Sequence, residues 1–295
     1  MDIKTKRAAV FAHYDKNENI EDYVVYYLKC LKNIVGTVIF VSDGKIKEDE
    51  KVKISPYADN IIAESHGEYD FGSYKRGYFY LKEKGVLNSV DELIFANDSC
   101  YAPLFPFETM FCTMEKSEAD FFGNTQNFTD RASNEDKGHL QSYFLVFRKN
   151  VFESAAFNDF MSAISKEEDK AAIIDKYEIG LSLALKKAGF TFDSYCATSK
   201  IRNNTHSNSY SSLVLCDRSP FLKRGLLLLK PNEFPYPFFI KNLIKKTDYD
   251  YSLIQSDIKR NRSRLSLFEY SRFFLKSLFR TIKWRIKKFF ILNIP

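Results

Sequence analysis

The chain has 295 residues, 45% hydrophobic and 28% charged. That is enough apolar material for one large α/β domain with an appendage. The net charge of +6 is unevenly spread: residues 262–295 hold nine Lys/Arg against Glu269 alone, a local +8 that leaves −2 on the rest. A mildly acidic body with a basic tail argues against a globular nucleic-acid binder, whose basic patch would lie on the body, and directs the tail toward an anionic surface.

In chain order, Ala8–Ala12 is a short apolar run of the buried-strand kind. Ile20–Asn33 has helical spacing through Val24, Tyr27, Leu28 and Leu31. Thr37–Val41 is a β-branched strand closed by the turn residues Ser42, Asp43 and Gly44. Ile61–Ala63 predicts a third strand, Tyr69–Glu83 a helix and Glu92–Ala96 a fourth strand. This alternation predicts a mostly parallel sheet with helices on both faces. Further on, Asp120–Gly123 and Ser142–Phe147 are strand-like, and Phe152–Ser165 and Glu178–Ala188 helical. Phe190–Tyr195 is a late strand, and the polar stretches Asn124–Gly138 and Arg202–Ser212 are loops, the first expected to be mobile. From about Leu265 a helix would carry Arg272, Lys276, Arg280, Lys283 and Lys287 on one face and Leu/Ile/Phe on the other. That pattern suits a membrane surface, or a helix docked on the body or on a partner.

The 28 Phe and 18 Tyr exceed what a core alone usually needs, so some are expected to line a groove or interface, unless the excess reflects an A·T-rich genome. Cys30, Cys100, Cys112, Cys196 and Cys216 lack zinc-ligand spacing and read as reduced, mostly buried thiols. No apolar signal region opens the chain, and no run of ~18 uncharged apolar residues occurs. The protein is therefore expected in the cytoplasm, peripheral to the inner face of the plasma membrane. It lacks a Walker loop, a Gly-x-Ser-x-Gly elbow and a strand-anchored Gly-x-Gly-x-x-Gly, which weighs against kinases, hydrolases and dinucleotide enzymes.

Asp98, flanked by Asn97 and Ser99, ends an apolar strand. Ligands of open α/β sheets bind at such strand ends. A carboxylate there suits a divalent cation, Mg²⁺ or Mn²⁺, on a diphosphate, although the same three residues favour a plain turn. Asp70, between Gly67 and Gly72, can serve a helix dipole or a sugar hydroxyl, and Lys75 and Arg76 lie one turn on. Glu178 is either a general base at a helix start or a simple N-terminal helix acid. Of the four histidines, His206 is the candidate second metal ligand.

The segments His13-Tyr14-Asp15, Phe40-Val41-Ser42-Asp43, Gly67-Glu-Tyr-Asp-Phe-Gly-Ser-Tyr-Lys75, Phe95-Ala-Asn-Asp-Ser-Cys-Tyr-Ala-Pro103, Leu140-Gln-Ser-Tyr-Phe144, Glu178-Ile-Gly-Leu-Ser182 and Ser219-Pro-Phe-Leu-Lys223 run in order over roughly residues 8–230. In these the chain resembles the rhamnan synthesis protein F family of bacterial polysaccharide biosynthesis, with the basic tail outside the resemblance. The resemblance implies a GT-A-like α/β glycosyltransferase domain over 1–245; the remainder, 246–295, is expected from its own charge pattern to be a basic amphipathic tail that anchors to a membrane surface. It implies a donor site of His13, Tyr14, Asp43, Asp70, Lys75, Asn97 and Asp98, with Asp98 at the metal place and Asp43 near the nucleobase. Glu178 would be the base of an inverting transfer, with Gln141 and Ser142 on the acceptor side. The expected donor is dTDP-rhamnose, the expected acceptor a lipid-linked glycan, and no nucleic acid is expected as partner. The alternative is a non-catalytic glycan-binding or scaffold subunit of a polysaccharide assembly complex.

Overall fold

The computed structural model describes residues 7–128, 138–197, 210–228 and 237–262. His206 and the basic tail from residue 263 lie outside the described residues. Strand β1 (Arg7–His13) is buried along its whole length, as an apolar run without alternation requires of a strand covered on both faces. Helix α1 (Asp22–Lys32) buries Tyr23, Val24, Tyr27, Leu28 and Leu31 at helical spacing. Then come β2 (Thr37–Asp43), α2 (Glu48–Ile54) and β3 (Asn60–Glu64). Helix α3 (Tyr69–Glu83) lies against β1 and β2. Gly77 permits that approach, because a Cβ there would stand 2.3 Å from Val10 Cγ1.

β4 (Glu92–Asn97) leads to β5 (Cys100–Tyr101), α4 (Phe107–Met114) and β6 (Phe121–Gly123). β7 (Gln126–Phe128) pairs antiparallel with β8 (Gly138–Leu140), so both ends of the stretch expected to be a mobile loop are laddered. β9 (Phe144–Arg148) is followed by α5 (Lys149–Phe152) and α6 (Ala155–Ser162). The single helix expected over 152–165 is thus divided: Ser154 accepts the Phe157 N–H and caps a new helix. α7 (Lys170–Ile173) runs through a π-helical turn, Ile174–Ile179, into α8 (Gly180–Lys187). β10 (Phe192–Ser194), α9 (Tyr210–Leu215), β11 (Leu222–Lys223), α10 (Gly225–Leu228), α11 (Pro237–Ile244) and α12 (Tyr251–Arg262) complete the order.

The main sheet has the order β10-β6-β9-β4-β1-β2-β3. β9 is antiparallel to β4 and β6, and the other pairings are parallel. This is the expected α/β architecture, a mostly parallel sheet with helices on both faces. From β1 the chain moves outward to β3, then returns to β4 on the other side of β1. That reversal opens a crevice at the carboxyl ends of β1 and β4.

One core cluster, with Phe11, Tyr27, Phe107 and Phe144, fills one face. The other, with Val10, Tyr74, Phe95 and Phe157, fills the opposite face. The largest fully buried side chains are all Tyr or Phe, and Tyr74 stacks on Phe95 at 4.6 Å between centroids. The aromatic excess therefore builds the core itself. Of the five thiols only Cys100 and Cys196 are buried, while Cys112 and Cys216 are exposed. The boundary expected at 245/246 falls ahead of α12, whose Ile254 and Asp257 are buried in the body. No helix among the described residues is long and apolar enough to cross a membrane.

Candidate active site

Parallel pairing sets Ala12 of β1 beside Asn97 of β4, so both strands end at the crevice together. Asn97 is buried. Its Nδ2 donates to Asp70 Oδ2 at 2.8 Å, while its Oδ1 accepts from the Ser99 N–H at 3.1 Å and the Ser99 hydroxyl at 2.6 Å. Asn97 thereby fixes both the turn after β4 and the first turn of α3. Tyr69 takes a left-handed φ of 56° to open that helix. Tyr14 and Tyr69, 60% and 46% exposed, are the exposed tyrosines among the described residues. They are the chain neighbours of His13 and Asp70.

The Asp98 N–H donates to Ala12 O at 3.3 Å, and its carbonyl accepts the Tyr23 hydroxyl at 2.9 Å. Asp98 Oδ2 accepts the Tyr14 N–H at 3.2 Å. His13 Nδ1 lies 2.7 Å from the same oxygen, a close polar contact whose alignment falls short of a good hydrogen bond. His13 Nε2 is 3.2 Å from Asn19 O, so both ring nitrogens face acceptors. Burial raises the Asp98 carboxyl, but His13, the Arg224 charge and the Tyr14 N–H outweigh it and hold the group below the usual carboxylate range. Asp70 goes the other way. By area it is only partly covered, yet protein surrounds it closely. Burial, and then the Asp98 charge, push its carboxyl up to about 7 against the opposing pull of Lys223 and Lys170.

Glu178 reaches the same region from the π-helical turn. Its Oε2 accepts the Ser142 N–H at 3.0 Å and also the Ser142 hydroxyl. Its Oε1 lies 3.8 Å from His139 Nε2. Burial lowers the His139 imidazole against the pull of Glu178. The Asn97 N–H donates to Tyr143 O at 3.3 Å, which sets Ser142 and the Glu178 carboxylate it holds beside the β4 end that carries Asp98 and, through Asn97, Asp70. Glu178 does not head a helix as expected: α7, the π turn and α8 are continuous. π turns concentrate at functional positions, because the extra residue re-aims a side chain.

Two expected donor contacts are otherwise engaged. Asp43 Oδ1 accepts the N–H groups of His66 and Gly67, both at 2.8 Å, and so pins the β3–α3 loop. The Lys75 ammonium donates to Ile164 O at 2.7 Å. Arg76 pairs with Glu64 and Glu68. Gln141 Oε1 accepts the Thr125 hydroxyl at 2.7 Å within a buried network that includes Asn124, Tyr143 and Ser219. Gln141 thus supports the site from behind while Ser142 faces Glu178.

For a divalent cation the fitting donor is Asp98 Oδ1, which carries no hydrogen bond or ion pair among the described residues. One or two carboxylates plus substrate phosphates are an ordinary Mg²⁺ environment. Among the described residues no three His, Cys, Asp or Glu gather as a fuller ligand set. Lys223 also lies at this strand end, its Nζ 3.3 Å from Ser99 Oγ. The sequence does not assign it to the site, because 124 residues separate the two partners.

Fold and site together define an α/β protein with an acidic, switch-point crevice between β1 and β4. The chain matches rhamnan synthesis protein F over residues 38–283 and belongs to that family. The match begins after His13 and Tyr14 and continues to residue 283, so the C-terminal region expected outside the resemblance is largely inside it. A curated relative, the uncharacterised protein y4gN of Sinorhizobium fredii, is 28% identical over 193 residues, 65% of this chain and 49% of its own length. The virulence protein VirA of Vibrio anguillarum is 28% identical over 60% of this chain and 55% of its own. The chain spans about half the length of the curated relatives it matches. Among solved structures, a 4-diphosphocytidyl-2C-methyl-D-erythritol synthase aligns over 72% of this chain and 99% of its own, with 14% identity and a TM-score of 0.44. The Mn/GDP form of core-mannan synthase A from Aspergillus fumigatus aligns over 59% and 69%, with 12% identity and a TM-score of 0.37.

Proposed function

We propose that the protein is a nucleotide-sugar-dependent glycosyltransferase of bacterial surface-polysaccharide synthesis. In this reading it moves rhamnose from dTDP-rhamnose to a lipid-linked glycan with inversion. The observation that carries the reading is the meeting of Asp98, Asp70 and Glu178 at one crevice, with Asp98 held ionised and a Ser142-oriented carboxylate reaching in from another element. Membership in a family named for rhamnan synthesis supports the choice of sugar.

The donor lies over the ends of β1 and β4, with Asp98 toward its diphosphate and the exposed rings of Tyr14 and Tyr69 available to stack on nucleobase or sugar. A divalent cation on Asp98 Oδ1, when bound, neutralises charge on the diphosphate. Glu178 takes the proton of an acceptor hydroxyl, a task worth about 10²–10⁴ in rate. The acceptor oxygen then bonds to the anomeric carbon as the bond from that carbon to the phosphate oxygen breaks. The electron pair leaves with the nucleoside diphosphate. Ser142 aims Glu178 through two hydrogen bonds to one oxygen. The basic stretch over 262–295 brings the enzyme to an anionic cytoplasmic leaflet, each Lys or Arg near the surface adding about 1 kcal/mol.

The test is nucleoside-diphosphate release from a panel of sugar nucleotides, with and without Mn²⁺, in the presence of a lipid-linked acceptor extract. Turnover of one donor, lost in Asp98→Ala while the variant stays folded, is expected. Well-folded protein that turns over no donor, and that no donor stabilises thermally, would show a binding or scaffold subunit instead.

A further inference from the structure

Lys223 is half-buried, and no carboxylate of the described residues stands in ion-pair contact with its ammonium. β11 pairs antiparallel with β5 so that Lys223 stands opposite Cys100, two residues beyond Asp98. Its ammonium contacts the Ser99 hydroxyl at 3.3 Å and lies 4.1 Å from the centroid of the Tyr143 ring. Among the described residues no carboxylate comes within 4.0 Å of it. A hydroxyl and a ring face compensate a half-buried ammonium only in part, so an anion placed beside it would be favourable.

The neighbouring residue explains why the ammonium stays there. The Arg224 guanidinium is bidentate on Asp257 of α12, at 2.7 and 2.8 Å, and the Tyr101 hydroxyl donates to the same carboxylate at 2.6 Å. The Arg224 N–H donates to Ser99 O at 2.8 Å. Arg224 is thus committed to structure, and it clamps the backbone that carries Lys223 onto the turn after Asp98. One cation locks the frame, and the next faces the crevice with donor capacity to spare. The Lys223 charge is close enough to oppose the burial that raises Asp70.

We infer that Lys223 is the fixed cation of the donor site and that its missing counter-ion is the diphosphate of the nucleotide. The inference rests on the glycosyltransferase reading and deepens it. Lys223 holds the diphosphate in the ground state and stabilises the charge that grows on it as the sugar leaves. Because the ammonium is part of the chain, this contribution is present whether or not a divalent cation is bound.

The test is titration of the full chain by calorimetry, without metal and with Mn²⁺, using dTDP, UDP, GDP, the matching nucleosides and inorganic pyrophosphate. In Lys223→Met, affinity for the preferred nucleoside diphosphate is expected to fall roughly 10- to 100-fold, the loss of one charge-assisted hydrogen bond. Nucleoside affinity should stay within about twofold, and Lys223→Arg should recover most of the loss. In the wild-type protein, the diphosphate but not the nucleoside should slow chemical acetylation of Lys223, read by mass spectrometry. That second measurement does not depend on the variant folding. Unchanged diphosphate affinity in Lys223→Met, or unprotected Lys223, overturns this inference and leaves the transferase reading standing. Wild-type protein that binds none of the nucleotides, with or without Mn²⁺, overturns both.

Discussion

Asp98 and Asp70 stand on either side of Asn97 at the same strand ends, and the protein treats them oppositely. Asp98 has an imidazole and a backbone N–H on one oxygen and is kept ionised. Asp70 has the Asn97 amide on one oxygen and its carboxyl rises to about 7. The pair shows how one crevice supports two tasks: a permanent negative charge for holding, and a carboxyl able to exchange a proton near neutral pH. Environments that drive neighbouring carboxyls apart are the usual mark of divided acid–base work. They also make Asp70 a rival to Glu178 for the base, since a base works best with its pKa near the operating pH.

The largest expected effect decides between those two. Glu178→Gln should lower turnover by about 10²–10⁴ with donor affinity nearly unchanged, the loss of a general base. Asp70→Asn should cost about tenfold or less, because Glu178 remains. Single-turnover kinetics on both variants check this, and the reverse ranking would transfer the base to Asp70. The next effect is on stability. A carboxyl raised from 3.8 to about 7 in the folded state binds more protons there than in the unfolded chain. Folding stability is therefore lost as pH rises from about 4 to 7 and is level beyond. Asp70→Asn removes that dependence. Denaturant titrations should show the variant gaining roughly 2–4 kcal/mol on wild type across that window. A parallel pH profile for the two proteins would mean that Asp70 is not raised. The smallest effect concerns Asp98. His13→Gln removes the imidazole that helps hold the Asp98 carboxyl down, so that carboxyl should titrate higher than in wild type, as read by carboxyl-carbon NMR. An unmoved Asp98 would place the controlling charge on Arg224 instead.

The elements visible in the sequence were those with a strong local signal. Ala8–Ala12, Thr37–Val41 and Glu92–Ala96 are apolar runs buried on both faces, and α1 and α3 carry their core residues at helical spacing. Asp98 was legible for the same reason, as the first acid after such a run. The segments Leu140–Phe144 and Glu178–Ser182 could each be singled out, but not their contact. Ser142 and Glu178 are 36 residues apart, and only the π turn aims one at the other. Asp43 and Lys75 were chosen by position and type, and tertiary contacts committed both elsewhere. Lys223 and Arg224 were invisible as site residues. Two adjacent basic residues look alike in sequence, and what separates them is that the Asp257 carboxylate meets the second, while the first has the Ser99 hydroxyl and the Tyr143 ring but no carboxylate of the described residues within ion-pair reach.

Local pattern by itself determined the strands, the helices around them and the end of the sheet at which a ligand would bind. It does so because burial on both faces selects continuous apolar runs and because strand ends are where the chain turns polar. The protonation of Asp70 and Asp98, the aim of Glu178 and the division of labour between Lys223 and Arg224 were decided only by the tertiary structure. Desolvation and Coulomb interactions depend on distance in space, and the partners that set them here lie up to 124 residues apart in the chain.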